Sequence, residues 1–157
     1  MSVLDQHLAA LGIVLPVPAS PVAAYVPYVI TGNLVYVSGQ LPLENGQVKI
    51  TGHVGKEGVD IARAQEAARL CALNIIAQVK AACDGNLDRV ERCVKVGGFV
   101  ASAPDFFDHP QVVNGASECI EKIFGTKGQH ARFALGVASL PRNATVEVDA
   151  IFQIVVE

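Results

Sequence analysis

The chain is short of charge. Lys, Arg, Asp and Glu make up 17% of its 157 residues, against roughly 25% in ordinary soluble domains. The charges it does carry nearly cancel, at a formal net of -3, which leaves no broad cationic footprint for nucleic acid. No apolar run reaches the roughly 20 residues a membrane-spanning helix needs. The first residues lack the basic start and long hydrophobic core of a secretory signal. A cytoplasmic protein with no membrane partner is expected. Pairs of cysteines two residues apart are also missing. Cys71, Cys83, Cys93 and Cys119 therefore form no redox or zinc motif and are expected to be reduced, buried, small apolar side chains. Gly52, Gly55 and Gly58 lack the GKS or GKT ending of a phosphate loop.

What the chain has in excess is apolar side chain, at 51%. Its length suits one domain, residues 1–157, with a real core. So much apolar surface behind so few charges predicts that part of it lies in a subunit interface.

Residues 2–11 read as a short amphipathic helix that Ser2 can cap with Asp5 in its first turn. Three prolines in residues 15–21 make an extended connector. Residues 1–20 thus form an N-terminal helix and a proline-rich lead-in. Residues 24–38 read as two strands turning at Gly32-Asn33, with Pro27 marking an edge or irregular strand. A glycine-rich loop with one short strand fills 41–58. Asp60 can cap a long Ala-rich helix to about residue 82, with an apolar stripe at Ile61, Ala64, Ala68, Cys71, Ile75 and Val79. A strand at 90–101 contains Gly97-Gly98, which hints at a bulge or a close backbone approach. A second helix follows Pro110 and ends near Phe124, before Gly125. Strands and helices in this order predict an α+β layer with both main helices on one sheet face.

Residues 130–157, HARFALGVASLPRNATVEVDAIFQIVVE, are expected to form a final hairpin around the turn at 139–143. This hairpin would put Arg132 and the in-phase pair Glu147 and Asp149 on adjacent strands. Arginine is a natural carboxylate clamp because its planar fork makes two charge-assisted bonds to a planar anion. Glu147 can orient or deprotonate water where its surroundings make it basic enough. The competing reading is a structural ion pair between Arg132 and Glu147. His109 and His130 show no aligned ligand cluster, and no Ser-His-Asp arrangement is legible.

The segments YVPYVITGNLVYVSGQLP, VKVGGFVAS, FFDHPQVVNGASECIEKIFG and above all ARFALGVASLPRNATVEVDAIF resemble the YjgF/RidA family of reactive-intermediate deaminases, over roughly residues 20–155. The resemblance implies a chorismate-mutase-like α+β subunit assembled as a homotrimer, with sites in clefts between neighbours. It implies hydrolysis of enamines or imines such as 2-aminoacrylate to 2-oxo acids and ammonia, without a cofactor. Arg132 matches the arginine that holds the substrate carboxylate and Glu147 the acid that places or activates water. Tyr25 matches a pocket aromatic, Asn114 a helix residue near the cleft, and the backbone around Gly39 completes the pocket. The chain departs from the usual pattern in its N-terminal helix, its longer 44–58 segment and Ala134, where many members carry cysteine.

Three functions stand at this stage: an enamine/imine deaminase acting on small carboxylate-bearing intermediates, a regulatory trimer that binds a small carboxylate without turnover, and an endoribonuclease-like hydrolase, which the acidic balance disfavours.

Overall fold

Alternation along one strand divides the molecule. In the computed structural model, which describes residues 1–21 and 23–156, strand β7 (Val146–Ile154) buries Val146, Val148, Ala150, Phe152 and Ile154. Glu147, Asp149, Ile151 and Gln153 point to the other side and stay partly exposed. Successive side chains of a strand face opposite ways, so the first set seeks a helix layer and the second does not.

The other strands extend this division. Strands β1 (Tyr28–Thr31) and β2 (Leu34–Gln40) pair antiparallel across the Gly32-Asn33 turn. Strand β5 (Val90–Ala101) and strand β6 (Ala131–Val137) pair in parallel. The five-stranded sheet has the order β1-β2-β7-β5-β6, and the short strands β3 (Leu43–Glu44) and β4 (Gln47–Val48) form a separate hairpin.

Helices cover one face, as the order of elements predicts. The long helix α2 (Ile61–Ala82) is capped by Asp60, whose side chain accepts from the Arg63 N–H at 2.8 Å. Helix α3 (His109–Phe124) follows β5 and returns the chain as β6. Its apolar residues Val112, Val113, Ala116, Cys119, Ile120 and Ile123 are all buried. Helix α1 (Val3–Ala10) has the expected capping box between Ser2 and Asp5. Its free N–H groups at Val3 and Leu4 also donate to Asp88, both at 2.9 Å.

Two expectations require correction. The last two strands are not a hairpin, because β5 lies between β6 and β7. The helical crossover lays β6 parallel to β5, and β7 then runs antiparallel along the far edge of β5. There β7 satisfies its backbone on both sides, against β2 and β5, which an outer position beside β6 would not allow. Gly97-Gly98 is not a bulge either; the irregular steps of β5 fall at 90–95. The pair marks a close approach from both sides. A Cβ on Gly97 would meet the Asp149 carboxylate and the Phe133 ring, and one on Gly98 would meet Val113 of α3.

All four cysteines are free and buried, as expected. Burial pushes the Cys93 thiol up to about 12 and the Cys119 thiol up to about 11, so neither offers a thiolate near neutral pH.

The face opposite the helices carries Tyr36, Phe99, Phe133, Leu135 and Ile151 around Glu147 and Asp149. Phe99 and Phe133 stack edge to face with centroids 5.3 Å apart. No described helix is long and apolar enough to cross a membrane.

The two main helices meet most closely at Gly115, where a Cβ would fall on the Gln65 carbonyl oxygen and 2.8 Å from its carbon. Backbone cannot rotate away as a side chain can. Gly115→Ala is expected to destabilise the fold by about 1–3 kcal/mol, read as a lower urea midpoint with an unchanged slope.

Candidate functional site

Strand register decides where each candidate residue points. Arg132 on β6 lies beside Val96 of β5, in phase with the helix-covered face. Its side chain accordingly reaches α3. One terminal nitrogen, Nη1, donates to Asn114 Oδ1 at 2.8 Å and to Ser117 Oγ at 3.2 Å, and Nη2 donates to the Pro110 carbonyl at 3.4 Å. All three acceptors are neutral, and among the described residues no carboxylate pairs with Arg132. A guanidinium has five N–H groups. Three are used here, which leaves the Nε–H and one Nη2–H for a two-pronged bond to an anion.

A relay behind this arginine fixes its orientation. His130 Nδ1 lies 2.6 Å from the Gly128 carbonyl, which can only accept, so the proton of the neutral ring sits on Nδ1. His130 Nε2 then accepts from Ser117 Oγ at 2.8 Å. With its own hydrogen committed there, the Ser117 oxygen is free to accept from Arg132. Each link of the chain Arg132, Ser117, His130, Gly128 thus runs from a donor to an acceptor.

Glu147 faces the other way. Its carboxylate packs against the backbone of Gly39, at the irregular step of β2 between Val37 and Gln40. A Cβ on Gly39 would collide with Glu147 Oε2, so any side chain here would have to push the carboxylate out of its present place. Burial first, and then the neighbouring charge of Asp149, raises the Glu147 carboxyl above its ordinary range. Burial raises Asp149 as well, against the pull of the Gly97 backbone N–H. Among the described residues no hydrogen bond or ion pair holds the Glu147 side chain.

The five residues singled out from sequence therefore fall into two groups. Tyr25, Gly39 and Glu147 line one cavity of about 510 Å³, together with Arg142 at the turn before β7. Arg132 and Asn114 form a second group on the helix side, joined by a direct hydrogen bond. The expected adjacency of Arg132 and Glu147 fails within the chain, because they stand on opposite faces of the sheet with β5 between their strands. An ion pair between them inside one chain fails for the same reason.

Ser117, His130 and Arg142 were not singled out. Ser117 stands three residues after Asn114, hence on the same helix face, and His130 stands two before Arg132, hence in the same strand phase. Those spacings were available. A second Ser–His contact, Ser102 Oγ to His109 Nε2 at 3.0 Å, has no carboxylate on the ring's other nitrogen among the described residues. It makes no triad. No cluster of three metal-ligating side chains occurs among the described residues.

Comparison with known proteins fits this geometry. A family model described as "YjgF/chorismate mutase-like, putative endoribonuclease" matches residues 5–153. The chain is 46% identical over 149 residues to Protein TCP17 of Trypanosoma cruzi, covering 94% of this chain and 92% of that protein. It is 30% identical over 137 residues to a 2-iminobutanoate/2-iminopropanoate deaminase of Dermatophagoides farinae, covering 87% and 90% respectively. The crystal structure of Atu1372 from Agrobacterium tumefaciens superposes with a TM-score of 0.90 at 53% identity, covering 98% of this chain and 94% of that one. A match that spans nearly the whole chain, on a subunit with this sheet order and these two polar groups, shows that the chain belongs to the YjgF/RidA family.

Proposed function

We propose that this chain is a hydrolytic deaminase of small, carboxylate-bearing enamines and imines, working in clefts formed between copies of itself. The observation that carries the reading is the pairing of two incomplete sites. An unneutralised Arg132 with two free N–H groups lies on one face, and Glu147, a carboxylate whose surroundings make it more basic than usual, lies in a cavity on the other. Neither group is useful to an imino acid alone, and one chain cannot bring them together. A ring of copies can, because each presents both halves. The apolar face around Glu147, with Tyr36, Phe99, Phe133, Leu135 and Ile151, supplies the surface such an assembly would bury. Three copies is the assembly the family resemblance implies.

In such a cleft Arg132 holds the substrate carboxylate side-on while Asn114 and Ser117 keep the guanidinium from turning. The imine carbon is already electrophilic. Glu147 takes a proton from water as the oxygen bonds to that carbon, and the nitrogen is protonated to give a carbinolamine. The C–N bond then breaks with loss of ammonia, the hydroxyl gives up its proton, and the 2-oxo acid remains. Water adds one oxygen, nitrogen leaves, and no electrons are exchanged. An enamine enters by protonation of its terminal carbon.

Arg132→Ala should lower kcat/KM for a freshly generated imino acid about 10- to 150-fold, the range for a hydrogen-bonded charge. Ammonia and 2-oxo acid release by the intact protein at no more than the spontaneous rate would sink the reading, and carboxylate binding without turnover would favour a regulatory role.

The pH dependence follows from the raised Glu147 carboxyl. As a base it must be ionised, so kcat should fall as pH drops through that raised value. Asp149→Asn removes the neighbouring negative charge and should move this acid limb to lower pH; an unmoved limb would separate Glu147 from the chemistry.

Mixing impaired Arg132→Ala chains with impaired Glu147→Gln chains tests the shared cleft. At equal amounts, about a quarter of clefts in a three-fold ring combine two intact halves, so activity should return. If co-refolded mixtures stay impaired, the site lies within one chain.

A further inference from the structure

The cavity that holds Glu147 is larger than a methyl-bearing imino acid needs, and two irregular parts of the chain wall it in. At about 510 Å³ it falls within the range of small-molecule pockets. One wall is the proline-rich lead-in, through Ala19, Pro21 and Ala23; the other is the start of the β3–β4 hairpin, through Leu43. Both walls lack regular pairing to the main sheet and would be expected to be loose.

They are held by two buried amides. Asn74 and Gln78 are 2% and 1% exposed, the only buried polar side chains among the described residues of α2. They stand four residues apart, one above the other on the same helix face. Asn74 Nδ2 donates to the Leu43 carbonyl at 3.0 Å, and Gln78 Nε2 donates to the Ala19 carbonyl at 2.8 Å. A polar group buried inside a helix layer is costly unless it is bonded. Asn74 Nδ2 also donates to the Leu70 carbonyl of its own helix at 2.8 Å, and each amide gives one bond to a wall of the same cavity. Simple packing would be served as well by leucine at both positions.

The lining between these walls is mostly apolar. Apart from Glu147 its one charged side chain is Arg142, which is exposed and has no hydrogen bond or ion pair among the described residues. A buried carboxylate repels an anionic substrate tail, whereas Ala19, Pro21, Tyr25 and Leu43 offer surface to a hydrocarbon one.

We infer that the cavity between the lead-in and the β3–β4 hairpin is a side-chain pocket selecting imino acids with bulky apolar side chains, and that Asn74 and Gln78 are its positioning residues. The inference rests on the deaminase reading for the reaction but not for the binding. Once the carboxylate is on Arg132 of one copy and the imine carbon is at Glu147 of the next, the side chain has this cavity in which to lie.

The test compares 2-imino acids bearing a methyl and an isobutyl side chain, generated in place and followed by ammonia release, with binding of the two corresponding 2-oxo acids measured by calorimetry. The isobutyl substrate should be favoured at least about 10-fold in kcat/KM, the lower end of what one added methylene earns in a fitted pocket. Ala19→Phe, which fills the pocket, should bring the ratio close to one; Ala23→Phe, at an exposed rim position, replaces it if the first variant does not fold. Gln78→Leu should lower the ratio as well, because it keeps the volume but frees the lead-in. Equal turnover of the two substrates, a ratio unmoved by filling the pocket, or a preference for a carboxylate-tailed imino acid that needs Arg142 would overturn the inference and leave the deaminase reading standing. No turnover of either substrate, with the isobutyl oxo acid still bound at least about 10-fold more tightly, would sustain the pocket and overturn the deaminase. Equal affinities without turnover would overturn both.

Discussion

Side chains alternate across a strand, and in this molecule that constraint puts Arg132 and Glu147 on opposite faces of the sheet. Arg132 falls in the phase that α3 covers, and Glu147 falls in the phase that no helix covers. Shifting β7 by one residue would turn Val148 and Phe152 out of the core. The face to which Glu147 points is therefore set by the apolar layer between sheet and helices.

The two groups are also built on different physics. Arg132 is kept available by neutral acceptors that hold it without an opposing charge, and the Ser117–His130 relay removes its freedom to rotate. Glu147 is tuned by burial and by a like charge, which make the proton easier to keep. Such a carboxyl is harder to ionise in the folded chain than in the unfolded one, so raising pH through this window costs stability. The same holds for Asp149. An apolar face with two reluctant carboxyls at its centre is a poor surface for water.

Much of the fold was legible because periodicity is a local signal. Asp60 and Ala82 bound the long helix, the 90–101 strand has the expected ends, and the Ser2–Asp5 capping box forms. Strand order was less legible. The segment at 139–143 does reverse the chain, but whether the returning strand pairs with β6 or passes to the far side of β5 depends on which backbone edges stay open, and some of those edges are made by residues as distant in sequence as Leu34, which pairs with Gln153. For the same reason Arg132 and Glu147 could be named from their chemistry but not placed relative to one another. Asn74 and Gln78 were hidden in an apolar helix; only their partners at Leu43 and Ala19 reveal why amides stand there.

The contact between Gly39 and Glu147 has a consequence for mutation. A side chain at 39 and the carboxylate of 147 compete for one volume. A larger residue at 39 would keep the acid in the sequence yet move it in space, so a change at 39 acts on the carboxylate without touching position 147.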